Sequence, residues 1–194
     1  MRRSHGILID AFGYLSDLGG RHRKMVFRKR NDPPVRGFNP WLYCIGTGLG
    51  YTMKDTSNVD RSFVIGSGQA WCVNAASADA NYGVMVGSGT TAVTVSDYAL
   101  ATKIAHGTGT GQLQYGAVTL IAPTIVGNDC YCEVVRGFTN GSGSTVTVAE
   151  IGLVDRYEGQ ALYWLMCRDV LGTAIDVLDT KTLTITYRVK VTAP

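Results

Sequence analysis

Nucleophilic catalysis needs a serine or cysteine, a histidine and an acid within hydrogen-bonding reach of one another. The sequence offers little for such a triad. Of its three histidines, His5 and His22 lie near the N-terminus, and His106 lies in a loop rich in glycine and threonine. No G-x-S-x-G nucleophile elbow is present in the chain. The sequence therefore predicts a protein that is not an enzyme.

Acids and cysteines could also support general acid–base or metal chemistry. The acid pairs Asp129/Glu133 and Asp176/Asp179 are predicted at strand ends or in loops, where carboxylates are usually solvated. Two of the five cysteines form a C-x-C pair in a predicted strand, and the other three stand singly in apolar runs. A metal site would need clustered ligands. We expect reduced thiols, with no metal and no cofactor.

Three glycine-rich runs, at residues 46–50, 87–89 and 107–111, invite comparison with phosphate-binding loops. A dinucleotide fingerprint requires a strand before the glycines and a helix after them. Residues 51–61 are polar and lack a helical period, and no Gly-Lys-Ser/Thr follows the other two runs. All three runs are therefore interpreted as turns between strands.

One pair of opposite charges stands inside apolar segments. Glu150 directly precedes the apolar residues 151–153, and Arg168 ends the apolar run 161–167. Opposite charges on neighbouring strands can pair across a sheet. We therefore predict a structural ion pair between Glu150 and Arg168.

The run at 161–167 is apolar on both of its faces. Such a strand is either central in a sheet or packed against a neighbouring subunit. Tyr163 and Trp164 are therefore candidates for a subunit interface or for ligand binding. An alternative groups them with Tyr157 and Asp155 as a sugar-binding site, since such sites use exposed aromatic rings beside acids or amides.

The N-terminal 40 residues are strongly basic. They hold nine Lys and Arg and three acids, a balance of 9 − 3 = +6, which leaves −3 for the rest of a chain of net charge +3. We predict a basic extended arm over 1–40 that docks on an acidic protein neighbour. A solvated tail and a nucleic-acid contact remain alternatives. The partner-binding candidates are Arg21, Arg23, Lys24, Phe27, Arg28, Lys29 and Arg30.

The remaining residues, 41–194, read as one domain of strands. Leu183 to Thr192 alternate apolar and polar side chains, which predicts a strand with one buried face. The Asn-Gly-Ser-Gly run at 140–143 predicts a hairpin turn between strands at 134–138 and 144–153, with a β-bulge near Ala149. Pro123 should close a strand over 112–121. Turn signals about every ten residues are typical of an antiparallel β-sandwich.

Several stretches carry a resemblance. They are VGSGTT at 86–91 with DYAL at 97–100, FTN at 138–140 followed by EIGL at 150–153, LMCRDVL at 165–171 and LTITY at 183–187. Together they resemble a family of small virion structural proteins from tailed bacteriophages, over residues 80–192. The resemblance implies an all-β, jelly-roll-like sandwich. Its expected partners are other copies of itself, in a symmetric homo-oligomer, and other virion proteins of the capsid, neck or tail.

In this interpretation the arm anchors the oligomer at the neck or tail. The alternatives are a capsid decoration protein, or a receptor- or carbohydrate-binding module of a tail fibre. Copy number per particle would separate capsid from neck and tail positions.

No stretch approaches the roughly 20 apolar residues of a membrane span, and the apolar run at 7–9 is too short for a signal peptide. We therefore expect a virion protein assembled in the host cytoplasm, where its cysteines stay reduced.

Overall fold

The computed structural model describes residues 7–18, 20, 22–29, 43, 44, 47, 49–64, 72–157 and 160–192. Over these residues the protein is all-β, as predicted, and every strand pairing is antiparallel. The strands are β1 (Ile7–Asp17), β2 (Lys24–Lys29), β3 (Tyr51–Lys54), β4 (Asp60–Phe63), β5 (Gly83–Gly87), β6 (Gln114–Val126), β7 (Asp129–Thr139), β8 (Val146–Arg156), β9 (Tyr163–Val177) and β10 (Lys181–Thr192).

Two sheets contribute to one hydrophobic core. The larger has the strand order β2-β1-β10-β7-β6, the smaller has the order β5-β8-β9, and β3 and β4 form a separate hairpin. This is the sandwich-like arrangement that the sequence predicts, whereas the jelly-roll order stays a prediction. The core combines side chains of the larger sheet, such as Ala11, Phe138 and Ile185, with side chains of the smaller sheet, such as Val84, Ile151 and Cys167.

The alternation predicted in β10 is present. Leu183, Ile185 and Tyr187 are fully buried, and the residues between them face the opposite side of the sheet. Because β10 lies between β1 and β7, the last strand of the chain is a central strand.

The N-terminal segment differs from the predicted arm. Strand β1 pairs with β10 along its whole length, and β2 pairs with β1. The prediction that this segment orders only against another molecule is therefore wrong for these two strands. The reason is a short period-two pattern that places Ile9 and Ala11 in the core. Gly13 permits close packing, since a Cβ there would lie 2.2 Å from the Phe27 ring. Arg21, Arg30 and the rest of the expected arm lie outside the described residues.

The predicted hairpin at residues 140–143 is also wrong. Strand β7 belongs to the larger sheet and β8 to the smaller, so this turn carries the chain across the core. The turn between β9 and β10 carries it back. The hairpins of the two sheets are instead β1–β2, β6–β7 and β8–β9. A turn sequence fixes the local reversal, but the sheet that the next strand joins depends on distant partners.

The side-chain amide of Asn140 connects the two turns that carry the chain between the sheets. Its Nδ2 donates to the carbonyl of Ser144 at 2.7 Å and to that of Val177 at 2.6 Å, while its Oδ1 accepts from the amide of Ser142 at 2.9 Å. Its backbone NH donates to the Lys181 carbonyl at 2.9 Å. Asn140 is fully buried, so its side chain holds both turns within the protein interior.

Two finer predictions have different outcomes. The register of β8 against β9 shifts between Val148 and Glu150, which confirms the bulge near Ala149. Strand β6, however, continues through Pro123 to Val126 and is not closed by the proline. The register against β7 shifts between Ile121 and Thr124, so the proline lies at an irregularity of an edge strand, where proline is tolerated.

We predict that Asn140→Ala lowers the free energy of unfolding by roughly 2–3 kcal/mol, because buried carbonyls and an amide lose their partner. Urea unfolding monitored by tryptophan fluorescence measures the change. Asn74→Ala is the control, since Asn74 is exposed and should change stability by less than about 0.5 kcal/mol. Equal effects of the two substitutions would contradict a special role for Asn140.

Candidate functional site

The predicted ion pair between Glu150 and Arg168 is present. Arg168 Nε donates to Glu150 Oε2 at 2.8 Å, and the two side chains are 2% and 0% exposed. Gly152 of β8 faces Arg168 of β9, so the two charges lie on neighbouring strands. A third charge joins them, since Arg168 Nη1 donates to Asp97 Oδ2 at 2.8 Å.

Backbone amides surround the remaining oxygens of Glu150. Gly89 and Thr102 donate to Oε1 at 3.1 and 2.7 Å, and Ala101 donates to Oε2 at 3.0 Å. A Cβ at Gly87 or Gly89 would lie 2.5 Å from Oε1. The glycines at 87–89 are therefore needed because the backbone approaches a carboxylate of its own chain.

The charges in this cluster stabilise one another. Burial alone would lower the pKa of Arg168, but hydrogen bonds to Asp97 and Glu150 outweigh it and raise that pKa. Burial likewise opposes ionisation of Asp97, yet hydrogen bonds from Thr94 and Arg168 lower its pKa. Arg168 Nη2 also donates to the Thr91 carbonyl at 2.9 Å. The cluster therefore fastens the loop between β5 and β6 to the smaller sheet, which is a structural role.

We predict that Glu150→Gln lowers the free energy of unfolding by about 3 kcal/mol, because Arg168 keeps a buried charge with one partner fewer and the new NH2 group faces backbone donors. Chemical denaturation measures the loss. The control is Glu133→Gln, which breaks the half-buried pair of Glu133 with Arg188 at 2.5 Å and should cost less than about 1 kcal/mol. A smaller loss for Glu150→Gln than for Glu133→Gln would refute the assignment.

A second buried cation, Arg136, was not among the predicted site residues. It is 1% exposed, and burial lowers its pKa. Its position in phase with Val134 and Phe138 on the core face of β7 is the signal that could have identified it. Among the described residues, its guanidinium donates hydrogen bonds only to backbone carbonyls, which makes Arg136 an anchor for the loop before β5. These carbonyls belong to Gly116 at 2.8 Å, Tyr82 at 2.9 Å, Val84 at 3.1 Å, Ala76 at 3.2 Å and Asp79 at 2.5 Å.

The proposed aromatic site at Tyr163 and Trp164 does not form on the surface. Trp164 is fully buried in a small second core with Cys44, Met53 and Phe63, and its ring lies 5.0 Å from that of Phe63. Trp164 is therefore packed within its own chain, and the prediction of an interface or ligand contact for it is wrong. Tyr163 is half-buried and stacks on Tyr82 at 6.2 Å.

Asp155, the acid of that proposed sugar site, is also buried. Its Oδ1 accepts from the amide of Cys72 at 2.8 Å, and the carboxyl is 2% exposed. Burial raises its pKa to about 7, although the amides of Cys72 and Arg156 partly offset this. Asp155 therefore joins the segment at Cys72 to β8 and cannot contact a ligand in solvent.

The raised pKa of Asp155 predicts a pH-dependent stability. The carboxyl binds its proton more tightly in the folded chain, at a pKa of about 7, than at the ordinary value of 3.8. Its contribution is thus complete below about pH 4 and is lost as pH rises through 7, with a slope of about 1.4 kcal/mol per pH unit. Unfolding measured from pH 4 to 8 should show this slope in the wild type and in Asp60→Asn, whose side chain is exposed. Asp155→Asn should remove it, and an unchanged slope there would exclude this cause.

The predicted partner-binding residues of the arm differ in their contacts and exposure. Phe27 packs against the core, and Lys29 forms an ion pair with Asp169 of the smaller sheet. The guanidinium of Arg23 lies 3.9 Å from the centre of the Tyr14 ring. Lys24 and Arg28 are exposed. Of the described candidates, only Arg23, Lys24 and Arg28 are therefore exposed.

The far half of β6 is the most exposed apolar element described. Leu120, Ile121, Ile125 and Val126 are 52%, 42%, 75% and 58% exposed. Near its start, β6 is covered at its open edge, where the Val118 amide donates to the Ala75 carbonyl at 2.8 Å. Beyond that point β6 pairs, among the described residues, with β7 alone. Sequence reasoning predicted a strand only as far as residue 121 and predicted neither its continuation to Val126 nor its exposure.

Chemistry-bearing groups elsewhere have structural contacts. His106 Nδ1 accepts from the amide of Tyr115 at 3.0 Å, whereas His5 lies outside the described residues. In the described parts of the chain, no three His, Cys, Asp or Glu residues are placed to hold a metal ion. No helix there is long and apolar enough to span a membrane.

Comparison of the chain with protein-family models, curated proteins and solved structures gives no significant match.

Proposed function

We propose that this protein is a non-enzymatic structural protein of a tailed-bacteriophage virion, which assembles with copies of itself at the neck or tail. The assembly surface is the part of the β6–β7 hairpin at residues 119–133, here called the hairpin tip. The observation that carries the proposal is the exposed, uncharged apolar edge of β6. The resemblance of residues 80–192 to virion proteins supports the biological setting.

The composition of β6 favours contact with protein. From residue 104 to residue 128 the sequence contains no Asp, Glu, Lys or Arg. Natural proteins usually protect an open sheet edge with charged side chains, because an unprotected edge pairs with other strands. Clustered exposed apolar side chains likewise mark interaction sites. The exposed edge of β6 lacks charged side chains and carries clustered apolar ones, which fits an edge that is covered in an assembly.

The occupant of this edge is best explained as a second copy of the chain. Two copies of an uncharged strand meet without like-charge repulsion, so the surface is compatible with itself. A two-fold contact places the same patch on both subunits. Beside the strand lies a cavity of about 340 Å³, lined by Val73, Leu120, Pro123 and Val134 among others, which could receive apolar side chains of the partner copy.

We predict that Ile125→Asp converts the assembly to monomers, because a carboxylate would be buried without a partner in the interface. Size-exclusion chromatography with light scattering measures the mass of the purified full chain. Ile125 is 75% exposed within one chain, so the variant should fold normally. Circular dichroism and thermal melting check this.

Val95→Asp is the matched control. Val95 is 81% exposed in the loop between β5 and β6, away from the hairpin tip, and its substitution should leave the mass unchanged. A monomeric wild type, or an Ile125→Asp variant that assembles as the wild type does, would overturn the proposed interface.

A further inference from the structure

The outer face of the larger sheet carries a small cavity whose lining residues all lie outside the hairpin tip. It lies where β2, β1 and β10 run side by side, on the side opposite to the core. Its volume is about 180 Å³, smaller than the roughly 300–1,000 Å³ of pockets for drug-sized ligands, so it fits a single ring-sized group. Its lining combines two aromatic rings, a thioether, two guanidinium groups and a carboxylate, from Phe12, Tyr14, Met25, Arg28, Arg188 and Asp10.

The strand register explains how these side chains meet. Phe12 faces Arg28, Tyr14 faces Met25, and Asp10 faces Arg188 across adjacent strands. The alternation that sends Ile9 and Ala11 into the core sends Asp10, Phe12 and Tyr14 to the outer face. The rings of Phe12 and Tyr14 contact edge to face with centres 6.0 Å apart. Paired strands therefore hold the cavity walls in place.

The two arginines differ in how well their charge is neutralised. Arg188 is held between aromatic rings, with its guanidinium 4.1 Å from the centre of the Tyr131 ring and 5.2 Å from that of Phe12. Its Nε donates to Glu133 Oε1 at 2.8 Å. Arg28 forms no ion pair with any residue that the structure describes. Within the described part of the chain, Arg28 thus supplies a positive charge at the cavity without an ion-pair partner.

We propose that this cavity binds one carboxylate-bearing sugar unit of an acidic glycan. Arginine donates in a fork that matches a carboxylate, which assigns the acidic group of the sugar to Arg28. The rings of Phe12 and Tyr14 provide an apolar wall for the C–H face of the sugar ring. The carboxylate of Asp10 only accepts hydrogen bonds when ionised, so it selects hydroxyl groups.

Asp10 also argues against a phosphate chain as the ligand. A phosphodiester group offers no donor to Asp10, whereas the hydroxyl groups of a sugar ring do. Lys190 Nζ lies 4.0 Å from Asp10 Oδ2, so part of the acid charge is balanced within the protein. A sugar with one carboxylate and several hydroxyls therefore offers an acceptor to Arg28 and donors to Asp10.

Calorimetric titration of the full chain tests the proposal. The acidic probes are tetragalacturonate, hyaluronan tetrasaccharide and sialyllactose, and the neutral probes are chitotetraose and lactose. At least one acidic probe should bind, and no neutral probe should bind comparably. Arg28→Gln should weaken the binding roughly tenfold, the effect of losing a charged hydrogen bond. Because Arg28 is exposed and unpaired among the described residues, this variant should fold.

Arg61→Gln is the matched control, since Arg61 lies in β4 and its side chain is 46% exposed. It should leave the binding unchanged. Failure of all acidic probes to bind, equal binding of the neutral probes, unaltered binding by Arg28→Gln, or tighter binding of a thymidine oligonucleotide would each overturn the proposal. Repeating the titration with Ile125→Asp separates it from assembly, because the sugar site should bind equally well in a monomer.

Discussion

The arrangement of the two sheets depends on one buried amide. The chain leaves the larger sheet after β7 and returns to it at β10, and Asn140 bonds the turns at both crossings. An unpaired polar group in these turns would cost free energy in the interior. Because the Asn140 side chain satisfies the carbonyls of Ser144 and Val177, β8 and β9 can form a separate layer. Both layers then cover a single hydrophobic core.

Buried charges perform a similar task for the long loops. Glu150 with Arg168 fastens the loop between β5 and β6, and Arg136 fastens the segment before β5. Each charged group is hydrogen-bonded to backbone atoms or to an opposite charge, which is the condition for burying it. These groups are therefore occupied in holding the backbone. The buried charged groups therefore stabilise the fold, and the candidate functions lie on the surface.

The surface presents two distinct features on the same sheet. The β6 side of the hairpin tip is apolar and uncharged, which suits contact with another copy of the chain. The outer cavity beside Arg28 combines rings, cations and one acid, which suits an acidic sugar. A structural protein that also contacts a surface glycan would use both. The paired strands β1 and β10 hold the cavity, while the exposed far half of β6 remains accessible for assembly.

The sequence by itself determined the all-β class, the buried face of β10, the bulge near Ala149 and the pairing of Glu150 with Arg168. These features follow from a period of two, which is local and can be counted along the chain. Only the tertiary structure decided that residues 140–143 cross between sheets, that β1 joins the larger sheet, and that Trp164 is buried. Each of these depends on contacts between residues far apart in the chain, and a local pattern does not specify which distant surface will cover a given strand.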